Sequence, residues 1–88
     1  MANYIAIVHK EAKSDFGVSF PDFPGCITAG KDIDEAKDMA QDALVLHIQG
    51  MFEEGVQLPA PSRLEDIMAD PDLADVKAYL VVSVPDAK

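Results

Sequence analysis

Phe20-Pro21-Asp22-Phe23-Pro24-Gly25-Cys26 lies between two short apolar runs, and its backbone has few conformational options. Pro21 and Pro24 each fix φ and remove a hydrogen-bond donor, and Pro24 also pushes Phe23 into an extended conformation. Pro24-Gly25 suits the central positions of a type II turn, because the second of them needs φ > 0 and glycine supplies it without strain. The stretch is therefore a rigid corner between two strands, in which Asp22 accepts backbone hydrogen bonds as a turn residue.

Outward from the corner, Phe16-Gly17-Val18-Ser19-Phe20 alternates apolar and small residues as a half-buried strand does, and Cys26-Ile27-Thr28-Ala29 makes a short strand ended by Gly30. Upstream, Tyr4-Ile5-Ala6-Ile7-Val8 has no polar alternation, as expected of a central strand covered on both faces. Lys10 to Asp15 is a polar hairpin loop. Downstream, Asp32 is a good N-cap, Glu35 adds a capping-box-like partner and Gly55 is placed to stop a helix that spans about Ile33 to Glu54. At 100° per residue, Ile33, Ala36, Ala40, Ala43, Leu44, His47 and Met51 share the side that faces the sheet. If fully covered, Ile33, Leu44 and Met51 contribute about 1.5–3 kcal/mol each. Ser62 and Glu65 form a second capping-box pair that opens a short helix through Leu64, Ile67 and Met68, and Tyr79 to Val84 is the last strand. Three antiparallel strands, the long helix and a right-handed crossover to a fourth strand parallel to the first predict an α+β unit, a small mixed sheet with one helix on one face.

Eighty-eight residues make one small domain, with 49% hydrophobic and 26% charged residues as in ordinary globular proteins. No run approaches the roughly 20 apolar residues of a membrane span, and the start lacks a signal-peptide layout, so a cytoplasmic location is the expectation. The lone Cys26 has no intrachain bridge to make and reads as a small buried hydrophobe. Seven basic residues against sixteen acidic ones give a net charge of −9 and a pI near 4.3. That balance excludes direct nucleic-acid binding by the chain as given, because affinity for a polyanion comes mainly from lysine and arginine on phosphates. A basic protein is the partner such a surface attracts.

The corner at 20–26, Gly30, Asp34-Glu35-Ala36, Leu46-His47-Ile48 with Gly50, and Leu58-Pro59-Ala60-Pro61-Ser62 occur together in one order, and with them the chain resembles the HicB antitoxin family from Tyr4 to Val84. The resemblance implies a partial ribonuclease-H-like βββαβ fold and a function: binding and silencing a small basic RNA-cleaving toxin of the HicA type by covering its active site. It assigns residues 1–84 to the antitoxin domain. Residues 85–88 are then a tail, or a linker to the DNA-binding domain that family members usually carry and of which no helix-turn-helix or ribbon-helix-helix pattern is seen here. The alternative is a stand-alone oligomeric interaction module of the same fold with no toxin partner.

Such a plug requires no catalysis, cofactor or metal. Ribonuclease-H chemistry holds magnesium on carboxylates that begin on the first strand, and Tyr4 to Val8 offers none. His47 sits within the apolar stripe and reads as a core histidine, since no second ligand lies at metal spacing on that face. The candidate partner-binding residues are Asp34, Asp38 and Asp42 on the outer helix face, with Asp22 and Phe23 at the corner. Val45 and Phe52 point away from the sheet-facing stripe and are the expected contact of a homo-oligomer.

Overall fold

A computed structural model describes residues 2–10, 15–71 and 76–84. Strands β1 (Ala2–Lys10), β2 (Phe16–Ser19) and β3 (Ile27–Gly30) are followed by helix α1 (Ile33–Glu53), the short helix α2 (Leu64–Met68) and strand β4 (Ala78–Val84). The four strands form one sheet in the order β3-β2-β1-β4. Most of the hairpin loop expected at Lys10 to Asp15, and the tail at 85–88, lie outside the described residues.

The corner folds as its prolines require. Phe23 N–H donates to Phe20 O at 3.1 Å and Cys26 N–H to Phe23 O at 3.0 Å, so two tight turns share Phe23, and Gly25 takes φ 90°. At the start of α1, Asp32 Oδ1 accepts from Glu35 N–H at 2.8 Å, while Glu35 Oε1 accepts from Lys31 N–H, one residue earlier than in a standard capping box. At its end Gly55 has φ 72°, and its N–H and that of Val56 donate to Phe52 O and Met51 O, the two bonds of a Schellman motif. The second capping box does not form. Arg63 is the N-cap of α2 without a side-chain hydrogen bond, because Ser62 is engaged elsewhere.

The sheet is antiparallel throughout, not mixed. β4 pairs with β1 from Ala2↔Val84 to Val8↔Ala78 and runs against it. A 21-residue helix is about 31 Å long and carries the chain from the Gly30 end of the sheet to the opposite end. A strand starting there would have been parallel to β1. Lys77 N–H instead meets Val8 O at 2.7 Å, so β4 enters from the end where β1 finishes.

Helix α1 lies against β3, β4 and β2 and buries Ala36, Ala40, Leu44 and Ile48. It comes close to the strand backbone at Gly30, where a Cβ would stand 2.4 Å from Ala36 N. Tyr4, Ala6, Val8, Val18, Phe20, Phe23, Cys26, Val82 and Val84 complete the core. The expected stripe is rotated slightly. Ile33 is 36% exposed, Ile48 is buried at 5%, and Val45 packs partly against the core rather than away from it. On β1, Ala6 and Ile7 are both buried although strand alternation sends them to opposite faces, as its unbroken apolar run predicts.

Candidate partner-binding surface

The corner is an internal joint. Phe23 is 2% exposed and touches Tyr4, Phe20 and His47 edge to face, with ring centroids at 4.7, 6.4 and 5.8 Å. Such pairs add about 0.5–1.5 kcal/mol each beyond area burial. Phe23 in this arrangement presents no surface to a partner, which corrects the expectation from sequence: its ring packs inward against Tyr4, Phe20 and His47. Asp22 is half-buried and accepts hydrogen bonds from Ser62 N–H at 2.9 Å and from the Ser62 hydroxyl. Tyr4 Oη donates to Pro59 O at 2.7 Å. These contacts strap the Pro59–Ser62 segment, which has no regular structure of its own, onto the corner. Burial, and secondarily the Asp22 carboxylate, hold the Tyr4 phenol above its ordinary pKa. Burial likewise pushes the Cys26 thiol up, which suits a packing residue and not a nucleophile. His47 is half-buried against Phe23, an aromatic filler of the joint.

Asp34, Asp38 and Asp42 are all exposed on α1, one turn apart. They do not join the corner: His47, the helix residue it touches, stands about 20 Å along the axis from Asp34. Within α1 five acids (Asp34, Glu35, Asp38, Asp42, Glu53) face one base, Lys37, so the outer surface is strongly anionic. Like charges at i and i+4 destabilise a helix by about 0.2–0.5 kcal/mol per pair, so the strip carries a cost within the isolated chain.

Two residues on the same outer surface are missed by the stripe analysis. Leu46 is 70% exposed and Met39 42% exposed, seven residues apart and flanking Asp42. Their signal was the i, i+7 repeat of apolar residues outside the buried stripe. Gly50 follows Leu46 by one turn, and a Cβ there would meet nothing within 4 Å. A mid-helix glycine costs about 0.5–1 kcal/mol relative to alanine, and no contact within the described residues returns that cost. Phe52 is 39% exposed near the helix end, and Val45, its expected companion at an oligomer contact, is half-buried. The surface thus combines apolar knobs with surrounding carboxylates, the makings of a contact with a cationic protein surface.

An antiparallel four-stranded sheet with one long helix on it and an anionic outer helix face defines a small α+β domain. Residues 4–88 match the family described as HicB_like antitoxin of bacterial toxin-antitoxin system, and the chain belongs to that family. It is 33% identical over 80 residues to Antitoxin HicB 1 of Photorhabdus laumondii, covering 91% of this chain and 52% of that protein. Among solved structures it is similar to the Burkholderia pseudomallei antitoxin HicB, with TM-score 0.85, 33% identity and coverage of 96% of this chain and 64% of that one. It is also similar to a chain of a HicA3 and HicB3 toxin-antitoxin complex, with TM-score 0.77, 27% identity and coverage of 96% and 99%. The chain spans about half the length of the curated relatives it matches.

Proposed function

We propose that residues 1–84 form the toxin-binding domain of an antitoxin, a partial ribonuclease-H-like unit of the cytoplasm that silences a small basic HicA-type toxin by covering its RNA-cleaving site. The observation that carries this reading is the end-to-end similarity to a chain of a toxin-antitoxin complex. The charge of −9 supports it. A toxin that grips RNA phosphates presents a cationic cleft, and Asp34, Asp38 and Asp42 occupy such a cleft as phosphate mimics while Met39 and Leu46 supply apolar contact. The role requires binding and no catalysis.

Co-expression with the short basic reading frame beside this gene tests the proposal. The wild-type chain restores growth and co-purifies with the toxin in a salt-sensitive complex, and the triple variant Asp34→Asn, Asp38→Asn, Asp42→Asn keeps its circular dichroism but loses association rate. A toxin captured equally well by the triple variant would move the interface off α1. Failure of the wild-type chain to bind or neutralise any such toxin would favour the stand-alone module instead.

A further inference from the structure

Strand β4 closes one edge of the sheet, and among the described residues it pairs with β1 alone. Val8 O accepts from Lys77 N–H, so the even-numbered residues of β1 point their backbone groups at β4, and in the observed register Ala78, Leu80, Val82 and Val84 point back. The N–H and C=O groups of Tyr79, Val81 and Ser83 therefore turn outward. This edge is seven residues long, and its sequence Ala78-Tyr79-Leu80-Val81-Val82-Ser83-Val84 contains no charge, proline or glycine. Charges and prolines are the usual devices that keep foreign strands from adding, and β4 carries neither.

Charge stands beside the edge instead, on α1. Gln41 Nε2 donates to Ser83 O at 2.6 Å, which fixes one flank of the helix over the outer side of β4. Asp34, Lys37, Asp38 and Val45 lie seven, four, three and four residues from Gln41 and share that flank, and Asp42 adjoins it on the outer face. Three carboxylates against one ammonium leave the flank net acidic. A second copy of a chain of −9 would bring the same carboxylates to meet them, so the flank turns like copies away. The open backbone groups beside it suit an extended segment that carries positive charge.

We infer that the cationic partner adds a strand to β4, antiparallel as every pairing in this sheet is. The inference rests on reading the chain as a toxin-binding domain, and it extends that contact from the outer face of α1 onto the sheet edge. Parity sets the pattern of the incoming strand. Its residues that bond to Tyr79, Val81 and Ser83 sit opposite them, with side chains on the sheet face away from α1. There they lie beside Val81, which is 61% exposed and stands across the ladder from Ile5, so these residues are apolar. The alternate residues project on the side of α1, where lysine or arginine meets Asp38 and Asp42. Ser83 O keeps its second lone pair for the added strand while Gln41 stays in place. The segment recognised is thus an alternation of cationic and apolar residues, held through its backbone as well as its charge.

Three synthetic peptides of alternating lysine and valine test this mode of binding on the 88-residue chain, by calorimetric titration and by amide hydrogen exchange. One is unmodified, one is methylated on the backbone nitrogens of valine, and one on those of lysine. The unmodified and lysine-methylated peptides bind and slow exchange at the Tyr79, Val81 and Ser83 amides. The valine-methylated peptide has the same charge but lacks the donors that face β4, and it binds at least about tenfold more weakly. Equal binding by all three, protection at other amides, or equally tight binding of an alternating glutamate and valine peptide would each overturn the inference. With the co-expressed basic toxin the same three amides are protected, and Val81→Pro weakens capture at least about tenfold while Val81→Thr does not. The Val81 N–H takes no part in the β1 ladder, so Val81→Pro keeps its circular dichroism; if it does not, the exchange pattern of the wild-type complex decides. A toxin held with those amides unprotected overturns strand addition and leaves the antitoxin reading standing. A toxin that never binds the wild-type chain removes that reading, and the partner assigned to the edge with it.

Discussion

Glycine-to-alanine exchange at four positions should give opposite signs for reasons read directly from the geometry. At Gly30 the added Cβ would lie 2.4 Å from Ala36 N and 2.7 Å from its Cα. Comfortable carbon contacts need about 3.5 Å or more, so the first turn of α1 must lift by roughly 1 Å. That turn is held by the Asp32 and Glu35 caps and by Ala36, which is fully buried. Overpacking against a backbone that cannot rotate aside costs about 3 kcal/mol, the upper end of the usual range. In a domain of this size such a loss lowers Tm by about 12–24 °C and consumes a large part of total stability. At Gly50, with open space around the position, alanine should instead stabilise by about 0.5–1 kcal/mol, since a mid-helix glycine loses more chain entropy on folding. At Gly25 and Gly55, with φ of 90° and 72°, alanine should cost about 1 kcal/mol from left-handed strain alone. Urea titration with thermal melts of the four variants reads these values. A Gly30→Ala protein within about 1 kcal/mol of wild type would mean that the helix does not rest on the strand as described.

Three further outcomes follow from the joint and the acidic strip. Asp22→Ala leaves Ser62 N–H and its hydroxyl without their partner and should cost about 1–3 kcal/mol in urea unfolding, with Asp22→Asn recovering much of it because an amide oxygen still accepts. Tyr4→Phe removes the hydrogen bond to Pro59 O and should cost about 1 kcal/mol at neutral pH. The folded-state pKa of Tyr4 is raised above 10.0, so its contribution is complete below that pH and drains away as pH climbs through the folded value; the stability gap between wild type and Tyr4→Phe should narrow in alkali. Asp38→Lys replaces repulsion from Asp34 and Asp42 by attraction and should raise stability by about 1 kcal/mol while slowing association with a basic partner. A lowered Tm, or unchanged association kinetics at low salt, would contradict the strip's assigned role.

Much of the fold is legible because local chemistry is strong where it matters. Two prolines and a glycine leave the corner one geometry, Asp32 and Gly55 bracket α1 closely, and the unbroken Tyr4–Val8 run marks the strand covered on both faces. The acidic strip was equally visible, since Asp34, Asp38 and Asp42 lie opposite the alanine stripe at helical spacing. The Phe23 ring was misjudged because turn chemistry fixes a backbone but not the side on which its residues pack. The direction of β4 escaped for a related reason: the sequence between α1 and β4 does not say at which end of the sheet the last strand begins, and it is the contact of Lys77 N–H with Val8 O and the pairing of β4 with β1 that decide it.

Sequence alone set the elements, their order, the charge of the surface and the family, because these depend on neighbouring residues and on composition. Tertiary structure decided what lies far apart along the chain. The antiparallel return of β4, the closure of α1 onto Gly30, the strap across Asp22 and the exposure of Leu46 and Val81 each arise from pairings between distant segments. Excluded volume and hydrogen-bond satisfaction select those pairings jointly, and no local window contains both partners.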